Sequence, residues 1–122
     1  MTNPLQSPAN SHVEQQLDQC ISKLETTLSS DVLVFIGDIT GGVDDNIRDA
    51  VERIRKRYPN RKSKLNKLTV IITTLGGYIE VVQRMVDTLR YHYRVVEFIV
   101  PNYAYSAGTV LVMSGDAIHM DY

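Results

Sequence analysis

At 122 residues, 43% of them hydrophobic and 22% charged, the chain has the composition of one ordinary globular domain. Thirteen basic against fourteen acidic side chains leave a formal net charge of -1, which excludes a dedicated polyanion binder and argues against nucleic acid as a partner. Cys20 is the one cysteine, so a disulfide framework and a cysteine-rich zinc site are excluded and a cytoplasmic location is expected.

Residues 1–10 lack the basic and apolar regions of a secretory leader and are expected to form a disordered lead-in. Ser11 followed by Glu14 spells a capping box, and Val13, Leu17, Ile21, Leu24 and Leu28 recur three or four apart, which predicts an amphipathic helix over 11–30. The rest, 31–122, reads as one domain. Asp31 opens DVLVFIGDI, a short β-branched run that predicts a buried strand ending at Gly37. A glycine turn follows. Asp44 and Asp45 are placed to cap the next helix, whose inward stripe is Ile47, Ala50, Val51 and Ile54 and which stops before Pro59. Between Arg53 and Lys67, eight of fifteen residues are basic; with no glycine cradle and no interleaved aromatics beyond Tyr58, a solvated helix end and loop explains them better than a phosphate patch.

Leu68–Thr74 predicts a second buried strand, broken by Gly76 and Gly77, after which Ile79, Val82, Val86, Leu89 and Tyr93 trace the inner stripe of a helix. Val95–Val100 predicts a third strand, stopped by Pro101, and AIHM a short last one beyond NYAYSAGTVLVMSG. The uncharged stretch from Phe98 to Gly115 has the length of a membrane span. Pro101, Asn102, Ser106 and Gly108 would leave polar groups unsatisfied in hydrocarbon, so no transmembrane segment is expected. Helices alternating with strands predict an α/β fold: right-handed crossovers, a mostly parallel sheet with flanking helices, and functional residues at the strand C-terminal ends.

Two of those ends carry chemistry. At Leu75-Gly76-Gly77 a diglycine permits positive φ and lets backbone N–H groups approach a ligand. At Tyr105-Ser106-Ala107-Gly108 a serine stands at a strand-to-helix turn, where its hydroxyl either caps the helix or serves as an acyl-transfer nucleophile. In the second case the N–H after the serine and one from the diglycine could form an oxyanion hole, worth about 3 kcal/mol per donor in the transition state. Other motifs read as structure. The turn from Gly37 to Gly42 lacks both the dinucleotide spacing and a P-loop lysine. Asp38, Asp44 and Asp45 are explained by helix capping without a metal, and Tyr91, Tyr93, Tyr103 and Tyr105 by packing with satisfied hydroxyls.

The segments TTLGGYIEVVQRMVDTLR and VVEFIVPNYAYSAGTVLVMSGDAIHMD resemble the ClpP-class serine peptidases, in particular the serine dehydrogenase proteinase branch related to SppA signal peptide peptidases. A TPGG-type turn and a VPNYAxSAGT tract carry the likeness, which is specific over 68–121 and looser over 31–58. The resemblance implies a ClpP/crotonase-like fold, with Ser106 as nucleophile, Gly77 and Ala107 as oxyanion-hole donors, and Gly76 and Gly108 in support. It also implies no cofactor, a peptide or protein substrate, and a homo-oligomer. Leu75 replaces the family's usual Pro. In such relatives a Lys or His base lies well downstream of the serine, whereas no Lys follows Ser106 here; His119 reads as a strand histidine, His92 as a helix-end residue, and Lys23, Lys56, Lys62, Lys64 and Lys67 as solvated. The expectation is therefore an N-terminal part of such a domain, incomplete at its C-terminus and lacking its base. A non-catalytic oligomerisation or binding module and a crotonase-type acyl-CoA enzyme are the alternatives.

Overall fold

The computed structural model describes residues 7–57 and 66–121. In chain order its elements are α1 (Pro8–Leu28), β1 (Asp31–Ile36), α2 (Val43–Arg57), β2 (Lys67–Thr73), α3 (Ile79–His92), β3 (Val95–Val100), α4 (Ala107–Met113) and β4 (Ala117–Met120). The four strands form one parallel sheet in the order β1-β2-β3-β4. This is the α/β architecture of parallel sheet and flanking helices that the alternation predicts.

When consecutive parallel strands lie side by side and each crossover has the same hand, all the crossover helices fall on one face of the sheet. The register shows which face that is. Leu33, Val70, Phe98 and Ile118 stand opposite one another across the strands, and the first three join one core with Ile47 and Val51 of α2, Val82, Met85 and Leu89 of α3, and Leu111 and Val112 of α4. The other face is only partly covered, so β1 is not a strand buried throughout: Val34 and Ile36 are exposed where alternation turns them away from the helices.

Three local expectations are corrected. Helix α1 begins at Pro8, not Ser11; its cap is Ser7, whose hydroxyl accepts the Asn10 N–H at 3.2 Å, and the proline fills a first-turn position where no N–H is required. Its stripe reaches the body only toward its C-terminal end, leaving Val13 and Leu17 more than half exposed. Asp44 and Asp45 lie inside the first turn of α2 and not at the position before it; Asp44 takes backbone N–H bonds there, and the two pair with Arg84 at 2.8 Å and Arg48 at 3.0 Å. On α3 the buried face is Val81, Val82, Met85 and Leu89, while Ile79 is exposed at the N-terminus. Most of the basic stretch, 58–65, lies outside the described residues; Lys67 pairs with Glu97 at 3.2 Å, and the Arg55 guanidinium stacks over the Tyr93 ring.

A polar clasp closes the N-terminal end of the sheet. The buried Tyr93 hydroxyl donates to Asp31 Oδ2 at 2.7 Å, and the Ser30 and Thr69 hydroxyls share a bond of 2.7 Å. Burial, and then the Asp31 carboxylate, push the phenol well above its ordinary range. Tyr91, in contrast, is exposed instead of packed.

A second clasp ties α3 to the turn before β4. Arg90 donates to Asp116 Oδ2 at 2.7 Å and to the Ser114 carbonyl at 2.6 Å, and the same Asp116 oxygen accepts the Val96 N–H at 2.9 Å. The Arg90 bond, followed by the Val96 bond, holds the Asp116 carboxyl below its ordinary 3.8. Because the folded pKa is the lower one, this stabilisation is complete above pH 3.8 and is lost as pH falls through the depressed value. Asp116→Asn should therefore flatten the acid limb of stability against pH below about 4 and leave its shape at neutral pH unchanged, as read from urea midpoints across the pH series.

Candidate active site

Because β2 and β3 are parallel neighbours, their C-terminal ends open side by side. The loops that leave them are laced together. The Thr74 N–H donates to the Tyr103 carbonyl at 3.2 Å, the Tyr105 N–H donates to the Thr74 carbonyl at 3.0 Å, and Thr74 and Ala104 pair as an isolated parallel bridge. On the other side the loop after β1 joins in. The Ile39 N–H donates to the Gly76 carbonyl at 2.8 Å, the Tyr78 N–H donates to the Ile39 carbonyl at 2.9 Å, and Ile39 bridges to Gly77. Three strand ends are thus extended by backbone pairing, and the diglycine sits in the middle one.

Ser106 holds φ 54° and ψ −125°, a conformation that side chains adopt at a cost of roughly 1–3 kcal/mol. The residue is exposed and its hydroxyl makes no capping bond; the turn into α4 is closed by backbone bonds from the Gly108 N–H to the Tyr105 carbonyl and from the Thr109 N–H to the Ser106 carbonyl, both 2.9 Å. Of the two roles the sequence left open, capping is the one its side chain does not perform. Gly76, at φ 106°, lies against it: a Cβ there would stand 2.8 Å from Ser106 Cβ, 2.7 Å from the Tyr105 carbonyl oxygen and 3.2 Å from the Ala107 nitrogen. Only a residue without a Cβ lets the two loops approach so closely. Gly108 fits against the methyl of Thr74 in the same way.

Gly76, Ser106, Ala107 and Gly108 therefore meet at one place, with Gly77 the next residue along. Among the described residues neither the Gly77 N–H nor the Ala107 N–H has a hydrogen-bond acceptor, whereas the Gly76 N–H donates to Thr74 Oγ1 at 3.1 Å. Around the two loops stands an apolar rim of Leu75, Tyr78, Ile79 and Tyr105, all exposed; the Tyr105 ring stacks on Tyr103 with centroids 5.0 Å apart. Tyr105 is thus a surface platform and not a packed core tyrosine.

The candidate bases lie elsewhere. His119, paired across the strands with Ile99, bonds Glu97 Oε2 at 3.3 Å on the sheet face away from the helices. Burial raises the Glu97 pKa, but the bonds from Lys67 and His119 outweigh it and hold the carboxyl below its ordinary range. His92 ends α3 with its ring edge-on to Tyr91. Among the described residues no Lys or His bonds the Ser106 hydroxyl, and no group of three metal-ligating side chains occurs. Lys62 and Lys64 lie outside the described residues.

Thr74 is the residue that sequence reasoning passed over. It continues the inward positions Leu68, Val70 and Ile72 and is 1% exposed. A hydroxyl at the inward place of a strand pattern, just before a diglycine, is the signal that marks it.

No known family profile matches the chain, and no curated protein does. Among solved structures it is similar to an asparagine-to-aspartate mutant of ClpP1 from Listeria monocytogenes, with a TM-score of 0.58 and 16% identity over 79% of this chain and 51% of that one. The fold is therefore ClpP-like, and the chain spans about half the length of that ClpP chain. Among the described residues no helix is long and apolar enough to cross a membrane.

Proposed function

We propose that the chain is a serine peptidase of the ClpP/SppA class, acting on peptides or proteins through an acyl-enzyme on Ser106. The observation that carries this reading is a serine at φ 54°, its hydroxyl uncommitted, set against a diglycine whose second N–H is also uncommitted. In this mechanism Ser106 Oγ adds to the scissile carbonyl, and its proton passes to a base and on to the leaving amine. The oxyanion accepts the N–H groups of Gly77 and Ala107, while Gly76 and Gly108 allow the loops to close. The reading leaves the proton acceptor to a group other than the described residues and takes the protein as a cytoplasmic homo-oligomer.

A fluorophosphonate probe tests this with the full-length natural product of the reading frame. Ser106→Ala should abolish covalent labelling, read by intact mass, while labelling of the parent protein rises with time. Absence of Ser106-dependent labelling would overturn the reading. The lack of a described base beside Ser106 favours one alternative, a non-catalytic oligomerisation module, which predicts a stable multimer by light scattering and no hydrolysis of any peptide. A crotonase-type acyl-CoA enzyme gives Ser106 no task and would survive Ser106→Ala.

A further inference from the structure

We infer that Thr74 is a positioning residue for the oxyanion side of the site, acting through Gly76; this rests on the reading of Ser106 as nucleophile. Thr74 is held at three points. Its backbone pairs in both directions with the serine loop, through Tyr103 and Tyr105. Its methyl faces Gly108 in the first turn of α4. Its hydroxyl, 1% exposed with the rest of the residue, accepts the Gly76 N–H at 3.1 Å.

The hydroxyl bond separates two glycines that the sequence presents as equivalent donors. One N–H is turned inward and satisfied, and the other is left for a ligand. A glycine has the widest backbone freedom of any residue, so its peptide planes need an external anchor if a neighbouring N–H is to point in a fixed direction. Thr74 Oγ1 is the anchor on the near side of Gly76, as the Ile39 N–H is on the far side. With the plane before Gly76 held by Thr74 Oγ1 and the plane after it held by the Ile39 N–H, which donates to the Gly76 carbonyl at 2.8 Å, the φ of 106° between them is set, Gly76 is seated against Ser106 Cβ, and the Gly77 N–H has a fixed direction. Preorganised donors stabilise a developing oxyanion because they need not reorient as charge appears. Thr74 touches neither substrate nor oxyanion.

Two near-isosteric replacements divide the roles. Thr74→Val keeps the methyl against Gly108 and removes the acceptor; Thr74→Ser keeps the acceptor and removes the methyl. In the full-length protein Thr74→Val should slow Ser106 phosphonylation by about 10- to 100-fold and speed amide exchange at Gly76 by at least tenfold, with Thr74→Ser within about threefold of the parent on both. A serine variant as slow as the valine one, or a valine variant that labels like the parent, would overturn the assignment. The parent also decides the anchor without any variant: Gly76 N–H exchange should be protected and Gly77 N–H exchange fast. Equal, rapid exchange at both glycines overturns the anchor even if Ser106 labels. Failure of the parent to label, with Gly76 protected, overturns the peptidase reading and leaves the Thr74–Gly76 link standing.

Discussion

Gly77→Ala is expected to lower stability by about 3–5 kcal/mol, seen as a fall in Tm of roughly 10 °C or more. The methyl would overlap the Ile39 carbonyl oxygen, with the carbonyl carbon at 2.6 Å and Ile39 Cα at 3.0 Å, all of them backbone atoms. No rotamer change can clear them. Gly77 also sits at φ 153°, where a side chain is strained whatever the space. Moving Ile39 is no escape, since its N–H and C=O are committed to Gly76 and Tyr78 and its side chain is fully buried. Gly41→Ala is the control, because a methyl there meets nothing within 4 Å, and its effect should stay within about 0.5 kcal/mol. A Gly77→Ala protein as stable as Gly41→Ala would mean that the loop after β1 is not anchored on the diglycine.

The contrast between those glycines marks the limit of sequence reading. Glycines at strand ends announce turns, and the alternation of apolar runs announced the order of elements and a parallel sheet. Which glycine bears a close approach depends on Ile39, nearly forty residues distant in sequence, and no local pattern encodes that. Helix α1 shows the same limit in another form: Ser7-Pro8 and Ser11-Glu14 are both valid start signals, and a choice between them rests on small differences in capping energy. Ile79 and Val34 fit apolar periodicities, yet each lies where the sheet or helix runs past its cover. The place of Ser106 in the fold was legible because a strand, a small-residue turn and a helix start surround it. Thr74 was hidden by its ordinary β-branched neighbours. Its bond to Gly76 is local, two residues on, but its contact with Gly108 is one that only the paired strand ends create.

Phe98→Ala should cost about 3–5 kcal/mol, a large share of the stability of a domain this size, shifting the urea midpoint with little change in slope. Phe98 is fully buried at the middle of β3, between Val70 of β2 and Ile118 of β4. The ring also reaches the turn before β4: a Cβ on Gly115 would lie 2.6 Å from Phe98 Cδ2 and 3.1 Å from the Val96 carbonyl oxygen. Gly115 thus makes room for the aromatic edge, and the two positions should couple. Gly115→Ala in the parent forces the ring aside and should destabilise by about 1–3 kcal/mol as an overpacked core does. In a Phe98→Leu background the aromatic edge is gone and much of that penalty should disappear. A double-mutant cycle should therefore return a favourable coupling on the order of 1 kcal/mol. Strict additivity would place the clash of Gly115→Ala on the Val96 carbonyl, and the seating of β4 would then rest on backbone contact and the Arg90–Asp116 clasp without help from the ring.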